Sequence, residues 1–123
     1  MEARGPQGVI TLEVVSDGTV GLYFSSGGGI LGAGEQEGPR KAAEVLLNVA
    51  PDFIQYAETA IGHPFPQKEH IRFYFLTSNG VVTYEAREAA LATNKDRMAP
   101  VYRKAQDVIS QIQVSFENRK AAK

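Results

Sequence analysis

The chain has 123 residues, 43% hydrophobic and 22% charged, with 13 Lys/Arg against 14 Asp/Glu and no cysteine. That length suits a single domain with a real core, and the missing thiols exclude a disulfide framework, a cysteine nucleophile and a thiolate zinc site, as suits a reducing compartment. No run approaches the roughly 18 apolar residues of a membrane span, and Met1-Glu2-Ala3-Arg4-Gly5-Pro6 is no signal-type apolar stretch, so the expectation is a soluble, cytoplasmic protein.

Ser16-Asp17-Gly18 marks the first hairpin, joining Val9–Val15 to Thr19–Phe24. A two-residue loop would set Glu13 against Leu22. A three-residue loop, a type I turn with Gly18 as a G1 bulge, instead pairs Val14 with Val20, Leu12 with Leu22 and Ile10 with Phe24. Thr11, Glu13 and Tyr23 then share the opposite face, and a one-residue slip would turn the whole apolar set into water.

The glycine-rich stretch that follows contains Gly27, Gly28, Gly29, Gly32 and Gly34. Backbone N–H groups freed of side chains are what a phosphate-binding loop uses. This one has no Gly-Lys-Ser/Thr and lacks the spacing of a dinucleotide fingerprint, and Glu35 and Glu37 would repel an anion. A bent continuation of the second strand, with glycines allowing close backbone approach, fits better; a ligand loop is the alternative.

Gly38–Ile61 reads as a helix with Pro39 at its first position, because Ala42, Leu46, Val49, Phe53, Ala57 and Ile61 draw one stripe. Pro51 removes the bond to the Leu47 carbonyl, which predicts a kink. Gly62 ends the helix, and Gly62–Lys68, with Pro64 and Pro66, is an extended connector.

Ile71–Thr77 and Val81–Ala86 form the second hairpin, with a type I′ turn at Asn79-Gly80 that opposes Phe75 to Tyr84 and Phe73 to Ala86. One face carries Ile71, Phe73, Phe75, Val82 and Tyr84. The other mixes Arg72, Tyr74, Leu76, Thr83 and Glu85. A helical turn at Arg87–Thr93 and a loop at Asn94–Asp96 lead to a helix from Ala99 to Phe116, with Val101, Ala105, Val108, Ile109, Ile112 and Phe116 on its stripe and an Arg103–Asp107 pair. Asn118–Lys123 is expected to fray.

These elements give one α+β domain in the order ββαββα: an antiparallel sheet of four to five strands, a long kinked helix between the hairpins, and a C-terminal helix on the sheet. In layout the order resembles the longin, roadblock and profilin-like scaffolds, which implies a small scaffold fold and no particular activity.

Residues 1–62 hold three Lys/Arg and eight Asp/Glu, residues 63–123 ten and six. The basic excess at Lys95, Arg97, Arg103 and Lys104 is thin and followed by Asp107, short of a nucleic-acid stripe. His63 and His70, even with Glu58 or Glu69, match no metal-ligand spacing. Glu13 and Glu85 share a face but no evident pocket, and Ser25 and Ser26 lack a nucleophile elbow. No catalytic residue, cofactor, metal, nucleic acid or membrane is expected. The reading is a non-catalytic protein-interaction module, an adaptor or an immunity-type protein, that forms a homodimer through Tyr23, Tyr74 and Leu76 on the mixed face; the alternative is a nucleotide or small-ligand sensor using the glycine segment.

Overall fold

The first hairpin adopts the expected register: Ile10 faces Phe24, Leu12 faces Leu22 and Val14 faces Val20. The computed structural model describes residues 1–6 and 8–121, the last three by backbone alone. Gly18 has φ 98° and donates to the Val15 carbonyl at 3.0 Å, while Val15 donates to Thr19 at 2.9 Å, the bonding of a G1 bulge. The Asp17 carboxylate accepts the Thr19 N–H at 2.9 Å, and hydrogen bonding from Thr19, its side chain first and its backbone second, holds the Asp17 acid below the usual range.

The second hairpin departs from expectation by two residues. Phe73 faces Tyr84, Phe75 faces Val82, and Thr77 faces Gly80 across a Ser78-Asn79 loop. Asn79 is not at positive φ, so the turn is not type I′; Gly80 holds that conformation, at 118°. The Thr77 hydroxyl builds the turn, accepting from Asn79 N–H at 3.2 Å and donating to the Gly80 carbonyl at 2.7 Å, as a short hydroxyl side chain can. A shift of two keeps every side chain on its expected face.

Among the described residues the sheet has seven strands, all antiparallel, in place of four to five. They are β1 (Glu2–Gly5), β2 (Gly8–Val14), β3 (Val20–Phe24), β4 (Gly29–Ile30), β5 (Glu58–Thr59), β6 (His70–Thr77) and β7 (Gly80–Arg87). The spatial order is β4-β3-β2-β1-β6-β7-β5; along the chain the added strands β1, β4 and β5 and a short second helix mean that the order ββαββα is not matched exactly. β1 is the addition that matters. It pairs with β2 on one side and β6 on the other, joining the hairpins.

Among the described residues three α-helices complete the fold: α1 (Glu37–Val49), α2 (Glu88–Ala92) and α3 (Ala99–Ala121). The kinked helix expected to reach Ile61 stops sooner. Around Pro51 the chain tightens into a 3-10 helix over Ala50–Tyr56, because proline offers no N–H to the preceding turn. Ala57 is extended, and the chain joins the sheet as β5 beside β7. Pro39 is the third residue of α1 and is buried. The Asp96 carboxylate accepts from Met98 N–H at 2.9 Å and from Tyr84 Oη at 2.8 Å, anchoring the entry to α3 on the sheet. Burial, with Asp96 beside it, pushes the Tyr84 phenol up to about 12. α3 continues past Phe116 through Ala121; Ala122 and Lys123, in the tail expected to fray, lie outside the described residues. The ion pairs among the described residues are Lys41–Glu37, His63–Glu2 and Arg72–Glu85, so the Arg103–Asp107 pair is not formed.

Both long helices lie on one face of the sheet. Leu12, Leu22, Ile71 and Phe73 from the strands meet Leu46 of α1 and Val101, Ala105, Val108 and Ile112 of α3 in one core. No helix among the described residues is long and apolar enough to cross a membrane.

Two glycines test this geometry. A Cβ at Gly34 would strike the Gly18 carbonyl oxygen, which couples the turn before α1 to the tip of the first hairpin. Gly34→Ala is expected to lower stability by about 1–3 kcal/mol through overpacking, and Gly18→Val by more than the roughly 0.5 kcal/mol of an ordinary surface change. Urea midpoints matching wild type would refute the contact and the turn respectively.

Candidate functional site

The face of the sheet away from the helices is covered by a strap of chain. The connector from Gly62 to Lys68 runs across it. Three contacts hold the strap. Tyr74 Oη donates to the Pro64 carbonyl at 2.7 Å, the His63 ring stacks on the Tyr74 ring at 3.9 Å with the planes 10° apart, and Arg4 Nη1 donates to the Pro66 carbonyl at 3.4 Å. Pro66 is buried and Phe65 exposed.

Beneath the strap lies Glu2, 4% exposed in the middle of the sheet. Its Oε2 accepts from Thr11 Oγ1 at 3.4 Å and faces His63 Nε2 at 3.4 Å, an ion pair when that imidazole is protonated. Its Oε1 is buried with no hydrogen-bond partner. An unpaired buried acceptor costs about 1–3 kcal/mol, and more when charged. Next to it, the α-amine of Met1 donates to the Leu12 carbonyl at 2.9 Å. Burial pushes this amine down from 8.0 to about 6, with the Glu2 and Glu13 carboxylates drawing it partly back.

Glu2, Glu13, Tyr74 and Leu76 line one end of a cavity of about 210 Å³ that reaches through the sheet to Leu46 and Val101. On the same face, Arg72 binds Glu85 through Nε at 3.0 Å and Nη2 at 2.9 Å, and reaches Thr83 Oγ1 at 3.2 Å. Arg72 also lies over the Tyr74 ring, 5.9 Å from its centroid. Burial pushes the Tyr74 phenol up. The polar half of this face is thus largely paired within the chain. The apolar half is not: Leu76, 83% exposed, stands directly opposite Val81, itself exposed.

The structure separates the residues proposed from sequence. Tyr74 and Leu76 are on one strand, but Tyr23 is on β3, three strand spacings from β6, or ~14 Å. Its ring folds back over Gly21. Tyr74 holds the strap and is not a free contact. Glu85 is bound to Arg72 and is not a partner for Glu13, which faces Gly21. His70 Nδ1 contacts the Lys68 carbonyl at 3.0 Å, far in role from His63. Among the described residues, no three or more His, Asp or Glu side chains are grouped to hold a metal ion.

The glycine segment serves chain geometry. Gly27 (φ 113°) and Gly28 (φ 79°) turn β3 into β4, with Gly27 N–H bonded to the Phe24 carbonyl at 3.0 Å and Phe24 N–H to the Gly28 carbonyl at 3.2 Å. Gly29 lies so close to the Leu22 carbonyl that a Cβ would need to displace backbone, and Gly32 is left-handed at 70°. This is a hairpin, where a bent continuation of the strand was expected.

Glu2 and Met1 escaped the sequence reading. The signal that locates them is Gly5-Pro6 followed by Gly8, a turn signature with Val9–Val15 after it, which implies a strand before it. No protein-family model matches the chain, and neither the curated proteins nor the solved structures yield a match.

The buried amine sets a pH dependence. In the unfolded chain it holds its proton up to about pH 8, whereas in the folded chain it releases it near pH 6. Between these values the unfolded state binds more protons, so stability rises as pH goes from 6 to 8 and this contribution is lowest below pH 6. At about 1.4 kcal/mol per unit, the gain is roughly 1–3 kcal/mol. NMR titration of the Met1 amine should show a midpoint near 6; a midpoint near 8 would place the amine in water.

Proposed function

We propose that this protein is a non-catalytic protein-interaction module that associates through the second face of its sheet, with a second copy of itself as one partner. The observation that carries the reading is the apolar rung of Leu76 and Val81, left uncovered where the strap stops, next to the paired ions of Arg72 and Glu85. Apolar side chains bordered by polar ones are the make-up of an interface core and rim, and a two-fold homodimer is the commonest way for a small domain to use such a patch. A role as adaptor or as a masking, immunity-type protein is compatible with this surface. No observation favours the glycine segment as a ligand loop, since its glycines are accounted for by the β3–β4 turn and by close backbone packing.

Leu76→Asp tests the reading better than a change at Tyr74, because Leu76 touches solvent and Tyr74 holds the strap. Sedimentation velocity should show dimers for wild type and monomers for Leu76→Asp, with the denaturation midpoint within about 0.5 kcal/mol of wild type, as for an exposed site. A wild-type protein that stays monomeric at high concentration would remove self-association.

A further inference from the structure

The strap has the make-up of a peptide ligand. Pro64 and Pro66 fix their own φ, and each biases the residue before it, His63 and Phe65, toward extended backbone. Among the described residues, 62–66 make no backbone–backbone hydrogen bond, which leaves their carbonyls free, as in a polyproline-type segment. Side chains from the sheet read those carbonyls: Tyr74 Oη donates to Pro64 at 2.7 Å and Arg4 Nη1 to Pro66 at 3.4 Å. An aromatic side chain beneath a preformed proline segment is the arrangement by which proline-rich peptides are recognised between molecules.

The strap is also built to come away. Gly62 at one end has φ 72° and Glu69 at the other has φ 64°; the second is a conformation that a residue with a side chain disfavours, so undocking relieves it. Between these two hinge points Pro66 is the one buried residue, and His63, Pro64, Phe65, Gln67 and Lys68 are exposed. A segment held by so few buried contacts opens well below the free energy of global unfolding.

His63 fills its place incompletely. Its ring stacks on Tyr74 at 3.9 Å and its Nε2 faces Glu2 Oε2 at 3.4 Å, but Glu2 Oε1 is buried without a partner. An arginine in that place would make both contacts and add the missing one. Its planar guanidinium stacks on aromatic faces, and its parallel N–H pair spans the two oxygens of a carboxylate. Arg72, the other cation near the Tyr74 ring, is already bound to Glu85 at 2.9 Å. The charge that the site lacks is therefore positive.

We propose that the second face is a site for proline segments, closed in cis by the strap, and that it takes in trans an extended partner segment of the form Arg-Pro-x-Pro, with the arginine stacked on Tyr74 and paired to Glu2. The proposal rests on the chain being an interaction module and gives the chemistry of its partner; it does not depend on self-association. Because the strap must leave first, the apparent affinity is the intrinsic one scaled by the open fraction. The strap thus sets a threshold, and a segment whose cation fits Glu2 better than an imidazole passes it.

The peptide acetyl-Gly-Arg-Pro-Phe-Pro-Gln-amide, which is the strap sequence with Arg for His63, tests this against the wild-type protein by ¹⁵N NMR. Saturable shifts are expected at Arg4 and Tyr74, while the His63, Phe65 and Gln67 amides move to unfolded-chain positions and exchange faster. Glu in place of the peptide Arg should weaken binding about tenfold or more, the scale of a lost charge-assisted hydrogen bond. Ala for both prolines should also weaken it, and Glu2→Gln should erase the advantage of the Arg peptide over an otherwise identical Gln peptide. His63→Ala, which removes the stack from the strap and leaves the sheet unchanged, should tighten binding about two- to tenfold by raising the open fraction. Pro64→Ala, also at an exposed residue, loosens the strap by a second route, and the wild-type titration stands without either variant. No binding to wild type or to His63→Ala, binding that leaves the strap amides unmoved, or equal binding of the Glu peptide would overturn the proposal. A bound peptide with a monomeric protein would reject only self-association; dimers dispersed by Leu76→Asp that bind no peptide would reject this site alone.

Discussion

The ladder made by β1 is the constraint on which the remaining structure depends. Each hairpin forms from local signals, but nothing else connects them edge to edge: β2 and β6 touch only through the rungs from Glu2 to Gly5 on one side and Glu2 and Ala3 on the other. An isolated two-stranded hairpin is marginal in water, and three or more strands with a covered face are needed for stability. Without β1 the core residues of the two halves, Leu12 and Leu22 in one and Ile71 and Phe73 in the other, would not form a continuous floor under α1 and α3. The helices also lock the arrangement from above, because α3 presents Val101, Ala105, Val108 and Ile112 to both halves.

What could be read from the residues is what local chemistry decides. The loop at Ser16-Asp17-Gly18 admits one length that keeps Ile10, Leu12 and Val14 opposite apolar partners, so its register was legible. Asn79-Gly80 carries an equally strong turn signal, yet the Thr77 hydroxyl captures Asn79 N–H and moves the turn back by one residue on each strand. Periodicity located α3, but the same stripe in residues 38–61 was misleading. Its apolar spacing continues past Pro51, whereas the backbone turns extended at Ala57 to satisfy the open edge of β7, a demand made by Val82 and Thr83, which lie well beyond it in sequence.

The candidate site was less legible because its defining features are non-local. Glu2 and Arg4 look like surface residues in a polar terminus, and their alternation is too short to register as a strand. The burial of Glu2 arises when the connector folds over it, and that depends on Tyr74 meeting His63 and Pro64. Leu76 was identified from its face alone and is indeed the most exposed member of the mixed strand. Tyr23 shares that face, but face membership says nothing of lateral distance. Two strands, β2 and β1, lie between β3 and β6, and only the strand order reveals it.

The two faces of the sheet therefore differ in how their cover is held. On the first, two long helices contribute buried aliphatic side chains, and the loss of any one methylene is felt throughout a close-packed core. On the second, the strap contributes one buried proline, one stacked imidazole and a few hydrogen bonds, among them the 3.4 Å contact from Arg4. Regions with few buried apolar contacts open at lower free energy than the core around them. Glu2 sits under that weaker cover with one oxygen unpaired, so lifting the strap hydrates a carboxylate that is poorly satisfied when closed, which offsets part of the lost stacking. A cost that would be hard to sustain beneath α1 or α3 is tolerable here because water is one strap away, and it is concentrated in the one strand on which the two halves of the sheet depend.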